Sequence, residues 1–277
     1  MKNSSITILV DETAREGLGC EHGLSLWIEY HGVEIFFDTG QSDLVISNAR
    51  RLGIDPAGTQ AVVLSHGHYD HTGGLRAVLD AARQAAVYVH PAAVETKFSR
   101  RDDKTSAIGI PDSARELITR MDNSGKVVWT QTPTEVAEDL FVTGEIPQIT
   151  NFEEIGGRFF VDRDCRKADT FVDDQAVFFD SPNGLVALLG CAHRGVANTL
   201  HYIAKLSGKK TIYAVIGGMH LLNASAERIG RTIAVFRRYN VQKIGPAHCT
   251  GDNAVEQFER AFSDRCLRCS AGMRIDL

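Results

Sequence analysis

Between the apolar run Ala61 to Leu64 and a stretch with helical spacing of Leu75, Val78, Leu79 and Ala82 lies Ser65-His66-Gly67-His68-Tyr69-Asp70-His71-Thr72-Gly73-Gly74. Four side chains able to ligate a metal, His66, His68, Asp70 and His71, fall within six residues, on a loop that a strand and a helix can hold rigid. A chain with 10 histidines among 277 residues seldom gathers three of them beside an aspartate by chance. Neutral imidazole and carboxylate suit Zn²⁺, Mn²⁺ or Fe²⁺. A solvated, histidine-rich turn is the plain alternative.

Three more histidines stand at the ends of apolar runs. His193 follows Leu185 to Leu189 in Gly190-Cys191-Ala192-His193, His220 follows Ile212 to Ile216 in Gly217-Gly218-Met219-His220, and His248 follows Ile244 in Pro246-Ala247-His248. A lone histidine after a strand is usually a satisfied surface or core residue. Three beside glycines, all at strand ends where ligands can converge, point to metal or substrate binding.

Strands are expected at Ile6 to Val10, Leu24 to Tyr30 and Val33 to Phe37, the last two joined by His31-Gly32 as a tight turn. Further strands are expected at Lys126 to Thr130, Asp139 to Thr143, Gln175 to Phe179 and Leu185 to Leu189. Two strand-loop-helix units follow, with helices around Ala226 to Tyr239 and Ala254 to Phe262. The pattern is mixed α/β, as for sheets packed together with helices outside. About 92–123 is polar and helix-compatible and is expected to be an inserted cap or surface excursion within a single domain, 1–277; its Arg100 to Lys104 charge run is read as a solvated face.

These motifs resemble the metallo-β-lactamase superfamily, whose His-x-His-x-Asp-His hallmark stands here as His66, His68, Asp70 and His71. Asp38 in Phe37-Asp38-Thr39-Gly40 resembles the family's first motif, His193 its third and His248 its last. Glu21-His22-Gly23-Leu24-Ser25, Gly144-Glu145-Ile146-Pro147, Asp173-Asp174-Gln175-Ala176, Gly190-Cys191-Ala192-His193 and Gly217-Gly218-Met219-His220-Leu221 resemble the dihydropterin-ribofuranosylaminobenzene-phosphate synthase-like branch. The resemblance implies an αββα sandwich of two mixed β-sheets packed face to face, with helices outside and the site at one edge. It implies His66, His68 and His193 on one metal, and Asp70, His71 and His248 on a second. Where the superfamily usually places a bridging Asp, this chain has Gly217-Gly218 and then His220, which is read as a replacement ligand, a substrate contact or a helix-entry residue.

Asp70 is expected to orient a metal-activated hydroxide and Asp38 to fix the tautomer of a ligating imidazole, with an Asx-turn as the alternative for Asp38. A histidine at position 68, where the oxygen-reducing di-iron branch carries Glu, disfavours redox chemistry. His22 and Arg194 are candidate contacts for a phosphate-bearing small molecule, with packing or solvated roles as alternatives. Cys191 and Cys249 are read as small packing residues. Cys266 and Cys269 form a lone C-x-x-C, a zinc knuckle or redox pair only if a partner pair exists.

A net charge of -5 without a basic run disfavours nucleic acid as a partner. No apolar run approaches the ~18 residues of a membrane span, and the N-terminus is too short in apolar residues for a signal peptide, so a cytoplasmic location is expected. The leading expectation is a metal-dependent hydrolase of an ester or phosphoester, with zinc, or else Mn or Fe, in two sites. The alternatives are a transferase joining a dihydropterin pyrophosphate to a ribofuranosylaminobenzene phosphate, and a non-catalytic ligand sensor on the same fold.

Overall fold

The computed structural model describes residues 4–102, 104–153 and 158–277. The first half contributes strands β1 (Ser5–Val10), β2 (Ser25–Tyr30), β3 (Val33–Phe37), β4 (Ala61–Val63), β5 (Ala86–Val89), β6 (Phe98–Arg101), β7 (Lys104–Ala107) and β8 (Val127–Trp129). The second half adds β9 (Thr134–Ala137), β10 (Leu140–Val142), β11 (Phe159–Phe160), β12 (Ala176–Ser181), β13 (Gly184–Leu189), β14 (Ala214–Gly218), β15 (Lys243–Ala247) and β16 (Arg274–Asp276). Helices are α1 (Leu44–Arg51), the one-turn α2 (Tyr69–Thr72), α3 (Leu75–Ala81), α4 (Asp112–Asn123), α5 (Val196–Ser207), α6 (Ala226–Arg238) and α7 (Asp252–Phe262).

Two mixed sheets run in the orders β16-β1-β2-β3-β4-β5-β8 and β15-β14-β13-β12-β10-β9. Their strands are apolar on both faces because each face is covered. In β13, Val186 and Leu188 enter the core between the sheets, whereas Leu185, Ala187 and Leu189 pack under α5, α6 and α7. In β3, Ile35 and Phe37 face the second sheet and Phe36 faces α1, α3 and α4. The result is the expected αββα sandwich. The β2–β3 turn at His31 and Gly32 has positive φ at both positions (50° and 86°), as a two-residue hairpin requires.

The stretch expected as a cap divides in two. Residues 112–123 form α4, whose Ala114 and Ile118 are buried against the first sheet, so this part belongs to the sandwich. Before it, β6 and β7 pair in a hairpin that β11 extends into a third, small sheet. His68 bridges Gly109 and the Tyr69 N–H donates to Ile108 O at 3.0 Å, so the segment after the hairpin is stitched directly to the histidine loop.

Helices α1 and α5 are absent from the sequence-based expectations, for physical reasons. In α1 the buried Asn48 interrupts the apolar stripe, donating its amide to Leu9 O and Gly19 O at 2.8 Å each. At α5 the orphan N–H groups are capped from afar, Ala197 and Asn198 donating to the Glu153 carboxylate at 2.7 and 2.8 Å, so no local cap residue announces the start. Among the described residues no helix is long and apolar enough to cross a membrane.

Candidate metal centre

Strands β3 and β4 are parallel in one sheet, and β13, β14 and β15 are parallel in the other, so their carboxyl ends gather at one edge of the sandwich. There β3 ends in Asp38, β4 in the histidine loop, β13 in Cys191 and His193, β14 in His220 and β15 in His248. The two halves touch at Gly190, where a Cβ would collide with the Ser65 side chain and lie 3.2 Å from Asp38 Oδ2. Asp38, Ala192, His220 and His248 adopt left-handed backbone, with φ of 61°, 54°, 46° and 48°. Such residues cost about 1–3 kcal/mol each and persist where surrounding structure enforces them.

Asp38 is wholly buried and organises the loop. Its Oδ1 accepts the Ser65 N–H at 2.7 Å, and its Oδ2 accepts the Ser65 hydroxyl at 2.6 Å and the His71 Nδ1–H at 2.7 Å. Since Ser65 donates to Asp38, its oxygen accepts from His66 Nδ1 at 2.9 Å. Both imidazoles therefore carry their proton on Nδ1 and turn a lone pair outward on Nε2. On the other side of the loop the Gly67 N–H donates to Asp173 Oδ2 at 2.8 Å, and Lys97 Nζ donates to Asp173 and Asp169 at 2.9 and 2.8 Å. Sequence reading missed Lys97, Asp169 and this clamp.

His66, His68 and His193 bring one nitrogen each to within 4.8 Å of the others. All three Nε2 atoms are buried and without a hydrogen-bond partner. Burial pushes His68 down to about 3, and burial together with neighbouring imidazoles holds His66 and His193 well below the ordinary range, so all three are neutral. Neutral, partnerless, converging imidazoles fit a divalent cation.

The second group also fits one. His71 donates through Nδ1 to Asp38, and His248 donates through Nδ1 to Glu12 Oε1 at 2.9 Å. Their Nε2 atoms nevertheless meet at 3.2 Å, with Asp70 Oδ2 3.7 Å from His71 and 3.3 Å from His248. Lone pairs so disposed need a proton or a cation between them. Burial raises the Asp70 carboxyl, but His71 and His248 beside it pull it well below the usual carboxylate range.

His22 reaches Asp70 Oδ2 at 3.3 Å through Nε2 and Glu12 at 2.8 Å through Nδ1. Burial opposes ionisation of Glu12, yet the bonds from His22 and His248 hold it at about 2. Asp11 Oδ1 accepts the His248 N–H at 2.8 Å. Asp11 and Glu12 are further residues missed from sequence; the available signal was an acidic pair directly after β1, as Asp38 follows β3.

His220 enters the site beside His193, with ring centroids 4.4 Å apart and a buried Nδ1 without a partner. Arg194 is anchored by backbone carbonyls. Its guanidinium donates to Ile146 O at 2.9 Å and Thr170 O at 2.8 Å, and it is not among the residues lining the cleft over the site. These bonds match the packing role that stood as the alternative for Arg194. Cys191 and Cys249, read as packing residues, stand inside the cluster with sulfurs 3.4 Å apart. Cys266 packs against the helix-side core and Cys269 against the core between the sheets, so each fills apolar space in a different layer. The cleft holds about 810 Å³, and its lining includes Tyr69, Phe159, Leu222 and the cations Arg101, Arg158 and Arg228. Arg101, expected on a solvated face, thus borders the site.

Residues 18–159 match the model of the metallo-β-lactamase superfamily. The chain belongs to the metallo-β-lactamase superfamily. Within it, the synthase-like branch is also matched: the chain is 30% identical, over 91% of its length and 88% of the relative's, to the 7,8-dihydropterin-6-methyl-4-(β-D-ribofuranosyl)-aminobenzene-5'-phosphate synthase of Methanocaldococcus jannaschii. Among solved structures it is similar to Tm1679, described as a metal-dependent hydrolase of the β-lactamase superfamily, with TM-score 0.82, 30% identity and 99% of each chain covered. The metallo-β-lactamase fold protein YhfI from Bacillus subtilis shares the fold at 12% identity, with TM-score 0.61 and 100% of each chain covered. A Cβ on Gly217 or Gly218 would strike the backbone of Leu189 or Gly190, so β14 and β13 are too close for a side chain there.

Proposed function

We propose that this metallo-β-lactamase-fold protein is a metal-dependent hydrolase of a phosphoester in a small molecule. His66, His68 and His193 hold one divalent ion, and Asp70, His71 and His248 hold the second. The observation that carries the reading is the convergence of three buried, partnerless imidazole nitrogens beneath a cleft that also presents Arg101, Arg158 and Arg228. Zinc suits this donor set, with Mn or Fe as alternatives. When bound, such ions supply Lewis-acid polarisation of the scissile group and lower the pKa of water from 15.7 to about 7.

The chain's own residues do the rest. Asp38 holds His71 in its ligating tautomer and, through Ser65, does the same for His66. The arginines neutralise phosphate oxygens, for which a guanidinium fork is well matched. Phe159, 5.6 Å from His193 and 5.7 Å from His68 by ring centroids, offers a face to an aromatic portion of the substrate. His22, half exposed and bonded to Asp70, stands where it can contact the substrate, and the unpartnered Nδ1 of His220 is open to ion or substrate. Such a molecule is soluble and metabolic, in keeping with a cytoplasmic enzyme.

A second reading is favoured by the Methanocaldococcus jannaschii relative, whose name is that of a synthase. The same site would then assist departure of diphosphate from a dihydropterin as it is joined to a ribofuranosylaminobenzene phosphate. Product analysis of the zinc-loaded protein separates the readings. The hydrolase consumes one organic substrate and places oxygen from labelled water in the product; the transferase needs both organic substrates and releases diphosphate. Binding of these compounds without turnover, unaltered by His66→Ala, would replace both readings with that of a sensor.

A further inference from the structure

The third sheet has one patterned face. Phe159 of β11 pairs with Ser99 of β6, and Ser99 and Arg101 of β6 pair with Ser106 and Lys104 of β7. Residues directly opposite one another, and residues two apart along a strand, share a face of a sheet. One face therefore carries Phe159, Ser99, Ser106, Arg101 and Lys104, in an order that runs from an aromatic ring through hydroxyls to cations. The other face carries Phe98, Phe160, Arg100, Thr105 and Ala107, none of which lines the cleft or the recess beside it.

The patterned face continues the cleft outward. Phe159 stands beside His68 and His193, at the histidine end. Tyr69, Ser99, Arg101 and Ile108 border both the cleft and the adjoining recess, which Lys104 and Ser106 also line. With strands about 4.8 Å apart and about 3.4 Å per residue, the backbone of Arg101 lies on the order of 8 Å from that of Phe159. A group held at Arg101 and Lys104 is thus well away from the histidines. Both cations are exposed, and among the described residues neither is within ion-pair distance of a carboxylate. Asp102 borders the same recess and leaves one positive charge in excess. Arg158 and Arg228, by contrast, line the cleft and not the recess.

We propose that the face bearing Arg101 and Lys104 is a second anion site, which takes a phosphate group of the substrate remote from the phosphoester that is cleaved. This rests on the phosphoesterase reading and narrows the substrate to molecules with two separated phosphates. A guanidinium, an ammonium and two hydroxyls offer donors to all three free oxygens of a terminal phosphate, whereas a carboxylate presents two.

The test uses the full-length protein loaded with zinc and two probes that cannot be hydrolysed, pentylphosphonate and pentane-1,5-bisphosphonate, titrated by calorimetry. The wild type should bind the bisphosphonate roughly tenfold or more tightly than the monophosphonate. The double variant Arg101→Gln, Lys104→Gln, with the zinc content and circular dichroism spectrum of the wild type, should lose this advantage. The double variant Arg50→Gln, Lys205→Gln, which removes two exposed cations from α1 and α5, should keep it. Equal affinities for the two probes in the wild type, an advantage that survives in the first variant, or equal losses in both variants would overturn the second site. Zinc-dependent binding of pentylphosphonate would then still stand, and with it the reading beneath. A 6-phosphonohexanoate that binds as tightly as the bisphosphonate would overturn the assignment to phosphate. No zinc-dependent binding of either probe would overturn both the second site and the phosphoesterase reading.

Discussion

Asp38 Oδ2 accepts the Nδ1 proton of His71 across 2.7 Å, in an interior where neither side chain reaches solvent. The same oxygen takes the Ser65 hydroxyl, and through it the orientation of His66 is set. Two proposed ligands of different ions therefore depend on a single carboxylate that is not itself a proposed ligand.

Replacing Asp38 with Ala should lower metal affinity by about 10–100-fold. It should also destabilise the metal-free protein by about 3–5 kcal/mol, because the Ser65 N–H, the Ser65 hydroxyl and His71 Nδ1 lose their buried acceptor together. Elemental analysis after dialysis and chemical denaturation of the chelated protein measure the two effects. Unchanged metal content would refute the orienting role.

Lys97 is 2% exposed and lies between Asp169 and Asp173. Lys97→Met removes the cation and leaves two buried carboxylates facing each other, at an expected cost of about 3–5 kcal/mol. Because Asp173 also holds the Gly67 N–H, the His66-His68 loop should loosen, seen as faster amide exchange there. A change below about 1 kcal/mol would show that the clamp is not structural.

Burial drives the Asp174 carboxyl up from 3.8 to about 7, against the hydrogen bond it accepts from the Arg194 N–H. A folded pKa above the unfolded one means that the group stabilises fully below pH 3.8 and that this contribution is lost as pH rises through about 7. At 1.36 kcal/mol per pH unit, the loss is on the order of 4 kcal/mol across that window. Asp174→Asn keeps the acceptor and cannot ionise, so the chelated variant should hold its stability between pH 4 and 7 where the wild type declines. Parallel stability profiles for the two proteins would count against a neutral Asp174.

Purified without added metal or nickel affinity resin, the wild type should contain close to two zinc, iron or manganese ions per chain. If His220 is a ligand, His220→Ala should fall towards one, as read by elemental mass spectrometry. Two ions in the variant would instead assign the buried Nδ1 of His220 to substrate.

Much of this protein is written locally. Short apolar runs bounded by turn residues specify strands such as Val33–Phe37 and Gly184–Leu189, His31-Gly32 specifies its turn, and His66, His68, Asp70 and His71 share one short loop. The family follows from those residues together with Asp38, His193 and His248, because ligand type and spacing survive in a linear string. Tertiary structure decided what the string does not encode. Glu12 meets His248 from 236 positions away, and Lys97 meets Asp173 from 76. Cys191 and Cys249 look like small apolar filler until the close packing of Gly190 against Ser65, and of Gly218 against Gly190, sets their sulfurs among the histidines. Hydrophobic periodicity reports only which face of an element is buried. The partner of each buried polar atom depends on how two sheets meet, and on left-handed backbone at Asp38, Ala192, His220 and His248 that only the packed fold enforces.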